Sequence, residues 1–306
     1  MRSFINRVIN IALMKHSVKI TFLLVGMFLL AQFIGLSIIE RYTSRNIVNG
    51  TVSYEKLPYG LEPPPINENY GFIFIIVGVL IGTGLVLVLV RFRKINLWKF
   101  WFFLSASITM AVAFAAFVNQ WAAIVFAAIL AFLKVFKQNF LVHNITELFI
   151  YGGLAAIFVP ILNVTSVAIL LILISIYDAY AVWKSKHMVT MAKFQAESKV
   201  FAGFLIPKGK ISIPKQTKSK AKSSPGESGK PSFALLGGGD VAFPLLFAGV
   251  VLKNSGFIPI LFVIPLFSAL SLLGLLWFSQ KGKFYPAMPF IAAGTFIGYC
   301  IFLFLK

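Results

Sequence analysis

Residues 170–183 read LLILISIYDAYAVW and residues 233–247 read FALLGGGDVAFPLLF. Each is an apolar run carrying one aspartate, Asp178 in the first and Asp240 in the second, and the chain holds no other aspartate. What surrounds these runs decides what they are. Hydrophobic residues make up 59% of the 306 positions, and the mean hydropathy is +0.89. Charged residues make up 12%, against roughly 25% in an ordinary soluble domain. Apolar runs long enough to cross a bilayer recur along most of the length. They lack the alternation of barrel strands, and a backbone in hydrocarbon must pair its own polar groups, so they are helices. The predicted fold class is an all-α membrane protein with nine transmembrane helices, at about 20–39, 71–90, 97–118, 121–136, 147–163, 166–183, 233–252, 256–279 and 286–305. No small-residue cleavage site follows the first run, which reads as a retained helix.

The charge balance is strongly basic, +19 with a pI near 10.1. Nucleic acid is not the implied partner. The basic residues lie between the apolar runs, where they set topology and meet anionic membrane lipids. With the N-terminus in the cytoplasm, nine spans put 23 Lys and Arg on the cytoplasmic side and 5 outside. The outer set is Arg41, Arg45, Lys56, Lys253 and Lys306, whereas eleven lysines lie between 184 and 232 alone. This asymmetry predicts N-in and C-out.

Residues 1–306 read as a single transmembrane domain: a six-helix part over 1–184, a basic loop over 185–232 and a three-helix part over 233–306. Within the loop, Met188 to Ile206 carries apolar residues near helical spacing and is expected on the membrane surface. Pro207 to Pro231 is rich in Lys, Ser, Pro and Gly and is expected to be disordered. The outer segment 40–70 contains Pro63, Pro64 and Pro65, which predicts extended chain. Cys300 is the only cysteine, and His16, His143 and His187 are scattered, so neither a disulfide nor a metal site or cofactor is expected.

An ionisable group at bilayer depth costs about 2.5–3.5 kcal/mol on insertion scales. It is kept for a partner or a function, and no Lys or Arg stands at comparable depth inside an apolar run. Asp178 lies six residues before Lys184, and Asp240 lies ten after Lys230. At about 1.5 Å per helical residue, both sit roughly 9–15 Å from those lysines. The sixth and seventh spans run antiparallel, so the two carboxyls are expected to meet at one level. Two carboxyls in a low-dielectric site do not both ionise; the pair holds one proton between them. One group then takes a proton from water while the other donates to a carbonyl oxygen, the chemistry of aspartic peptide hydrolysis.

Gly237, Gly238 and Gly239 precede Asp240. Three glycines weaken a helix by about 1 kcal/mol each and admit a close backbone, so they are expected to loosen the start of the seventh span. Ser232–Leu236, just before them, is expected to offer a strand edge to an unwound substrate. Glu147 reads as an acid opening the fifth span, where it suits a helix N-terminus.

These residues resemble the presenilin and signal-peptide-peptidase family of GxGD intramembrane aspartyl proteases. Tyr177-Asp178 is similar to the first family motif. Gly237-Gly238-Gly239-Asp240 is similar to the second, with Gly237 and Gly239 in the places of its fixed glycines. Tyr285-Pro286-Ala287-Met288-Pro289 stands where the family has Pro-Ala-Leu at the start of the ninth helix, with Met288 replacing leucine at similar volume. The resemblance lies in these short motifs, their order, and the basic loop between the first two. It implies that Asp178 and Asp240 are the catalytic pair. It implies that Tyr177, Gly237, Gly238, Gly239, Pro286, Ala287 and Met288 shape the site and position substrate. The implied substrates are single-pass transmembrane helices cut within the bilayer, and no cofactor is implied. The predicted orientation is that of presenilin, whereas Pro244 resembles the peptidase branch. The small single-chain form resembles archaeal homologues, which implies a multi-pass cell-membrane protein acting without obligate partner subunits.

Two other classes fit part of the pattern. A membrane ion channel or transporter can use two intramembrane carboxylates as a cation relay. Prepilin peptidases also carry a GxGD aspartate and cut at the cytoplasmic membrane edge, but their first aspartate is not in a Tyr-Asp motif and no Pro-Ala-Leu element is expected. The topology is open to direct measurement. In intact cells, protease added from outside should leave a tag in the 185–232 loop uncut and remove a tag fused after Lys306. Cleavage of the loop from outside reverses the assignment.

Overall fold

The structure, a computed structural model, describes residues 17–46, 51–92, 94–137, 139–184, 200–207, 233–255, 260–280 and 285–305. Among them are nine α-helices: α1 (Val18–Arg41), α2 (Gly71–Arg91), α3 (Ile95–Ala115), α4 (Gln120–Phe132), α5 (Phe140–Phe158), α6 (Val164–Trp183), α7 (Gly238–Ser255), α8 (Ile260–Phe278) and α9 (Met288–Leu305). A π-helical turn, Leu133–Lys137, extends α4, and a 3-10 turn, Val159–Ile161, extends α5. With these extensions counted, seven spans are long and apolar enough to cross a membrane; α8 contributes a shorter apolar stretch, Phe262–Phe278. The molecule is an all-α, multi-pass membrane protein.

The remaining helix, α7, is as long as α9 but less apolar, and it is the one the others enclose. Val241 and every residue from Pro244 to Lys253 are buried, and α7 packs against α1, α5, α6, α8 and α9. A helix surrounded by protein need not be lipophilic throughout, and α7 carries Gly238-Gly239-Asp240 at one end and Lys253-Asn254 at the other. Phe28, Leu170, Leu245, Phe247, Ile264, Ile291 and Phe302 fill the core around it. At the other extreme, α2 buries only Gly71 and Ile75 and packs on α3 and α6.

Among its described residues, segment 40–70 is non-helical around Pro63–Pro65, makes 3-10 turns at Pro58–Gly60 and Glu68–Tyr70, and adds a small antiparallel pair, β1 (Thr43–Asn46) with β2 (Thr51–Tyr54). Its tyrosines cap helices. Tyr42 Oη donates to Val112 O (2.7 Å) and Tyr54 Oη to Ala156 O (3.0 Å), carbonyls in the last turns of α3 and α5 that have no partner within their own helix. Lys253 Nζ donates to Glu68 Oε2 (2.9 Å) and to Leu162 O (2.8 Å), tying the far end of α7 to the start of α2.

Three boundaries differ from the sequence reading. The fifth span begins at Phe140 and not at 147, because His143, Asn144, Thr146 and Glu147 lie inside α5 and are buried with partners. Residues 233–237 are not helical. They form β4 (Phe233–Gly237), antiparallel to β3 (Gly203–Pro207), with Gly203 opposite Gly237 and Leu205 opposite Leu235. Residues 203–206, expected at helical spacing, are therefore extended, and Pro207 closes β3. Residues 188–199 of the surface segment and 208–231 of the disordered segment lie outside the described residues.

Close packing leaves a measurable signature. A Cβ on Gly153 of α5 would lie 1.8 Å from Thr109 O of α3, whereas one on Gly78 of α2 would meet nothing within 4 Å. Gly153→Ala should destabilise the purified protein by about 1–3 kcal/mol or more, since backbone must move. Gly78→Ala should be neutral or slightly stabilising, by up to about 1 kcal/mol from helix propensity. Thermal midpoints in detergent check both.

Candidate active site

Asp178 sits in the last turns of α6 and is partly buried. Its Oδ2 accepts the N–H of Met288 at 3.0 Å, and the Ala287 N–H lies close enough to favour the charged carboxyl. Met288 is the first residue of α9. The free N–H groups of a helix start need acceptors, and Asp178 supplies them from a neighbouring helix, as an N-cap side chain would. The positive end of the α9 dipole favours negative charge at this point. Pro286 is buried and has no N–H to satisfy. The motif Pro286-Ala287-Met288 thus lies against Asp178.

Asp240 is the third residue of α7, and its carboxyl lies against the backbone of Gly237, the residue before the helix, whose N–H favours its charged form. This is half of a capping box, in which an acid in the first turn reaches back to the entering N–H. Asp240 and Asp178 stand within electrostatic reach of each other. Both candidate acids are therefore anchored on helix N-termini, one on its own helix and one on another.

The glycines serve space more than flexibility. A Cβ at Gly237 would lie 3.1 Å from Asp240 Oδ2, and one at Gly238 would lie 3.1 Å from Tyr151 Oη and its ring; at Gly239 the nearest atom is 3.6 Å away. None of the three has a positive φ, so it is close approach, and not a left-handed backbone, that glycine serves at Gly237 and Gly238. Gly237 ends the strand and Gly238 begins the helix. Tyr177 is exposed on α6.

Strand register aims the backbone at the site. Asn144 Nδ2 donates to Leu205 O (2.8 Å), and Leu205 N–H donates to Asn144 Oδ1 (3.0 Å). Leu205 thus points its polar groups away from β4. In antiparallel pairing the opposite residue does likewise, so Leu235 N–H and C=O face outward from β4, as does the Gly237 N–H that meets Asp240. Among the described residues no strand covers this edge. Leu235 is exposed, between buried Ala234 and Leu236.

Several polar residues around the site had no assigned role in the sequence reading. Glu147, read there as a helix-opening acid, is well inside α5, 1% exposed, and paired with Lys134, also 1% exposed by side chain, at 2.7 Å. His143 reaches Gly203 O (2.8 Å), and Gln32 of α1 donates to Val241 O (2.9 Å) in the first turns of α7. The signal was present. His143, Asn144 and Glu147 share a helical face within a long apolar chain, and each such group in a membrane demands a partner. Reading them as a loop end hid that face.

The family profile described as signal-peptide peptidase, presenilin aspartyl protease matches residues 47–306. A solved presenilin family intramembrane aspartate protease in space group C222 superposes with a TM-score of 0.61 at 20% identity, over 94% of this chain and 99% of that one. A second such structure, in space group P2, gives 0.60 at 19% identity, over 92% and 97%. No curated protein matches by sequence. With the family profile spanning most of the chain, the protein belongs to the signal-peptide peptidase and presenilin aspartyl protease family and is an intramembrane aspartyl protease.

Proposed function

We propose that Asp178 and Asp240 are the catalytic pair of this protease, and that the outer edge of β4 receives an unwound stretch of a single-pass transmembrane substrate. The observation that carries the reading is the convergence of the two acids on the helix starts at Gly237 and Met288. With one proton on the pair, the ionised carboxyl takes a proton from water, which attacks the scissile carbonyl carbon. The protonated carboxyl gives its proton to the carbonyl oxygen, and a tetrahedral diol forms. The newly protonated carboxyl then gives its proton to the amide nitrogen while the other carboxylate takes one from a diol hydroxyl; the C–N bond breaks, the carbonyl re-forms as the new carboxyl terminus, and the pair again holds one proton.

A helix hides its backbone, so hydrolysis within the bilayer requires local unwinding, and unwound N–H and C=O groups in hydrocarbon need partners. The outward Leu235 N–H and C=O supply such partners, and strand addition there leads the substrate toward Asp240. The outward course of that edge follows from the Asn144–Leu205 hydrogen bonds.

The reading extends to the membrane. Helices α1–α9 are taken as nine spans, N-in and C-out, supported by the asymmetry of basic residues. The six-helix part, 1–184, and the three-helix part, 233–306, each contribute one aspartate, joined by the cytoplasmic 185–232 loop. Ala287 and Met288, by holding Asp178, help position the substrate. The chain is taken to act without obligate partner subunits.

Asp178→Asn and Asp240→Asn should each abolish cleavage of a reporter transmembrane helix by purified protein. An amide oxygen still accepts the same backbone N–H groups, so the thermal midpoint should stay close to that of the unaltered chain. Near-normal turnover in either variant rejects the pair. Ala287→Leu should lower kcat/KM by about tenfold to a hundredfold by displacing α9 from Asp178. Met288→Leu, equal in volume, should remain near wild type.

A further inference from the structure

We propose that Lys134, His143, Asn144 and Glu147 form a positioning cluster for the proteolytic site, a proposal that rests on the reading of Asp240 given above. They hold β3, and through β3 they hold β4 and the first turn of α7. None of them touches the reacting atoms; they act on where Asp240 and the open strand edge stand.

The Lys134 ammonium, buried at the π-helical turn, lies 2.7 Å from Glu147 Oε1, 3.2 Å from His143 O and 3.2 Å from His143 Nδ1. An ammonium only donates hydrogen bonds, so Nδ1 is an acceptor and the proton of the neutral ring is on Nε2. Nε2 therefore donates to Gly203 O at 2.8 Å. Lys134 selects the tautomer that binds β3. In the other tautomer a bare nitrogen would face a carbonyl oxygen.

Asn144 completes the clamp. Its amide both donates to and accepts from the backbone of Leu205, as a neighbouring strand would. Gly203 and Leu205 are two residues apart, the spacing at which a strand presents its polar groups to one side. Side chains of α5 thus take the place of a third strand on the outer edge of β3. From β3 the connection reaches the catalytic helix directly. Gly238 N–H donates to Ala202 O at 3.2 Å. Tyr151, four residues beyond Glu147 on the same face of α5, packs edge-on against Phe204 with centroids 5.6 Å apart and bounds the space at Gly238.

A buried ion pair is a poor stabiliser, and replacing both charges by neutral groups of similar shape often leaves stability unchanged or raised. This separates positioning from a purely structural role. The test uses the full-length chain in detergent, comparing wild type with Lys134→Met/Glu147→Gln and with Asn144→Leu. Three quantities are read: the thermal midpoint, the kinetics on a reporter transmembrane helix, and amide hydrogen exchange. The expected result is a double variant with a midpoint close to wild type. Both variants should show kcat/KM lowered by about tenfold or more, with faster exchange confined to 203–207, 233–237 and the start of α7. Wild-type kcat/KM in both variants overturns the proposal. So does unchanged exchange in the two strands, and so does acceleration spread evenly through α1, α7 and α8. If the wild-type chain itself leaves the reporter uncut, the protease reading fails separately, and the strand exchange still decides whether the cluster positions β3 and β4.

Discussion

A carboxylic acid inside a membrane has to be met by hydrogen-bond donors, and here the donors are the free N–H groups at the starts of two helices. Asp178 takes that of Met288, with the Ala287 N–H close by, and Asp240 lies beside that of Gly237. Much of the surrounding architecture follows from this pairing. α9 must begin level with the last turns of α6, so the chain before it has to end at Pro286, which brings no N–H of its own. α7 must begin directly at the end of a strand, so that the last strand residue presents its N–H to the acid. A lysine or arginine partner would have neutralised either acid. Backbone N–H groups satisfy a carboxyl without removing its capacity to exchange a proton with water.

The strand is the second consequence. Isolated two-stranded ribbons are marginal in water, and within a membrane an open edge is tolerated only away from lipid. The β3–β4 pair persists because one edge is closed by Asn144 and His143. α5 in turn keeps these polar side chains because Lys134 and Glu147 are buried with them. The opposite edge remains open beside Asp240, where an unwound substrate needs partners of its own. Several of the buried polar side chains of a very apolar chain are thereby gathered around one site.

Much of this was legible in the residues. The two aspartates stand out because they are the only ones and lie in apolar runs. The helices of the membrane bundle follow from hydropathy, with most boundaries near the observed ones. What was hidden depended on partners distant in sequence. Phe140–Thr146 looks like the end of a loop until Lys134 and β3 are placed against it, and then its polar residues become the inner face of α5. Phe233–Gly237 is as apolar as a helix, and only pairing with residues 203–207 makes it a strand. A short apolar run carries no periodicity that distinguishes the two. The three glycines announced close approach, but sequence could not say that the neighbours are Asp240 itself and Tyr151.

The convergence of Asp178 and Asp240 on one reacting centre is the claim on which the rest stands, and a ligand shaped like the tetrahedral intermediate tests it most directly. Such a ligand is an apolar peptide with a hydroxyl-bearing carbon in place of the scissile carbonyl, and compounds of this kind bind about a hundredfold or more tighter than substrates. Its affinity should be measured for the unaltered chain and for Asp178→Asn and Asp240→Asn, with folding verified in each. The account predicts tight binding by the unaltered chain and a loss of at least about a hundredfold in both variants. Full affinity retained in either one would show that its aspartate does not face the reacting carbon, and would contradict the account.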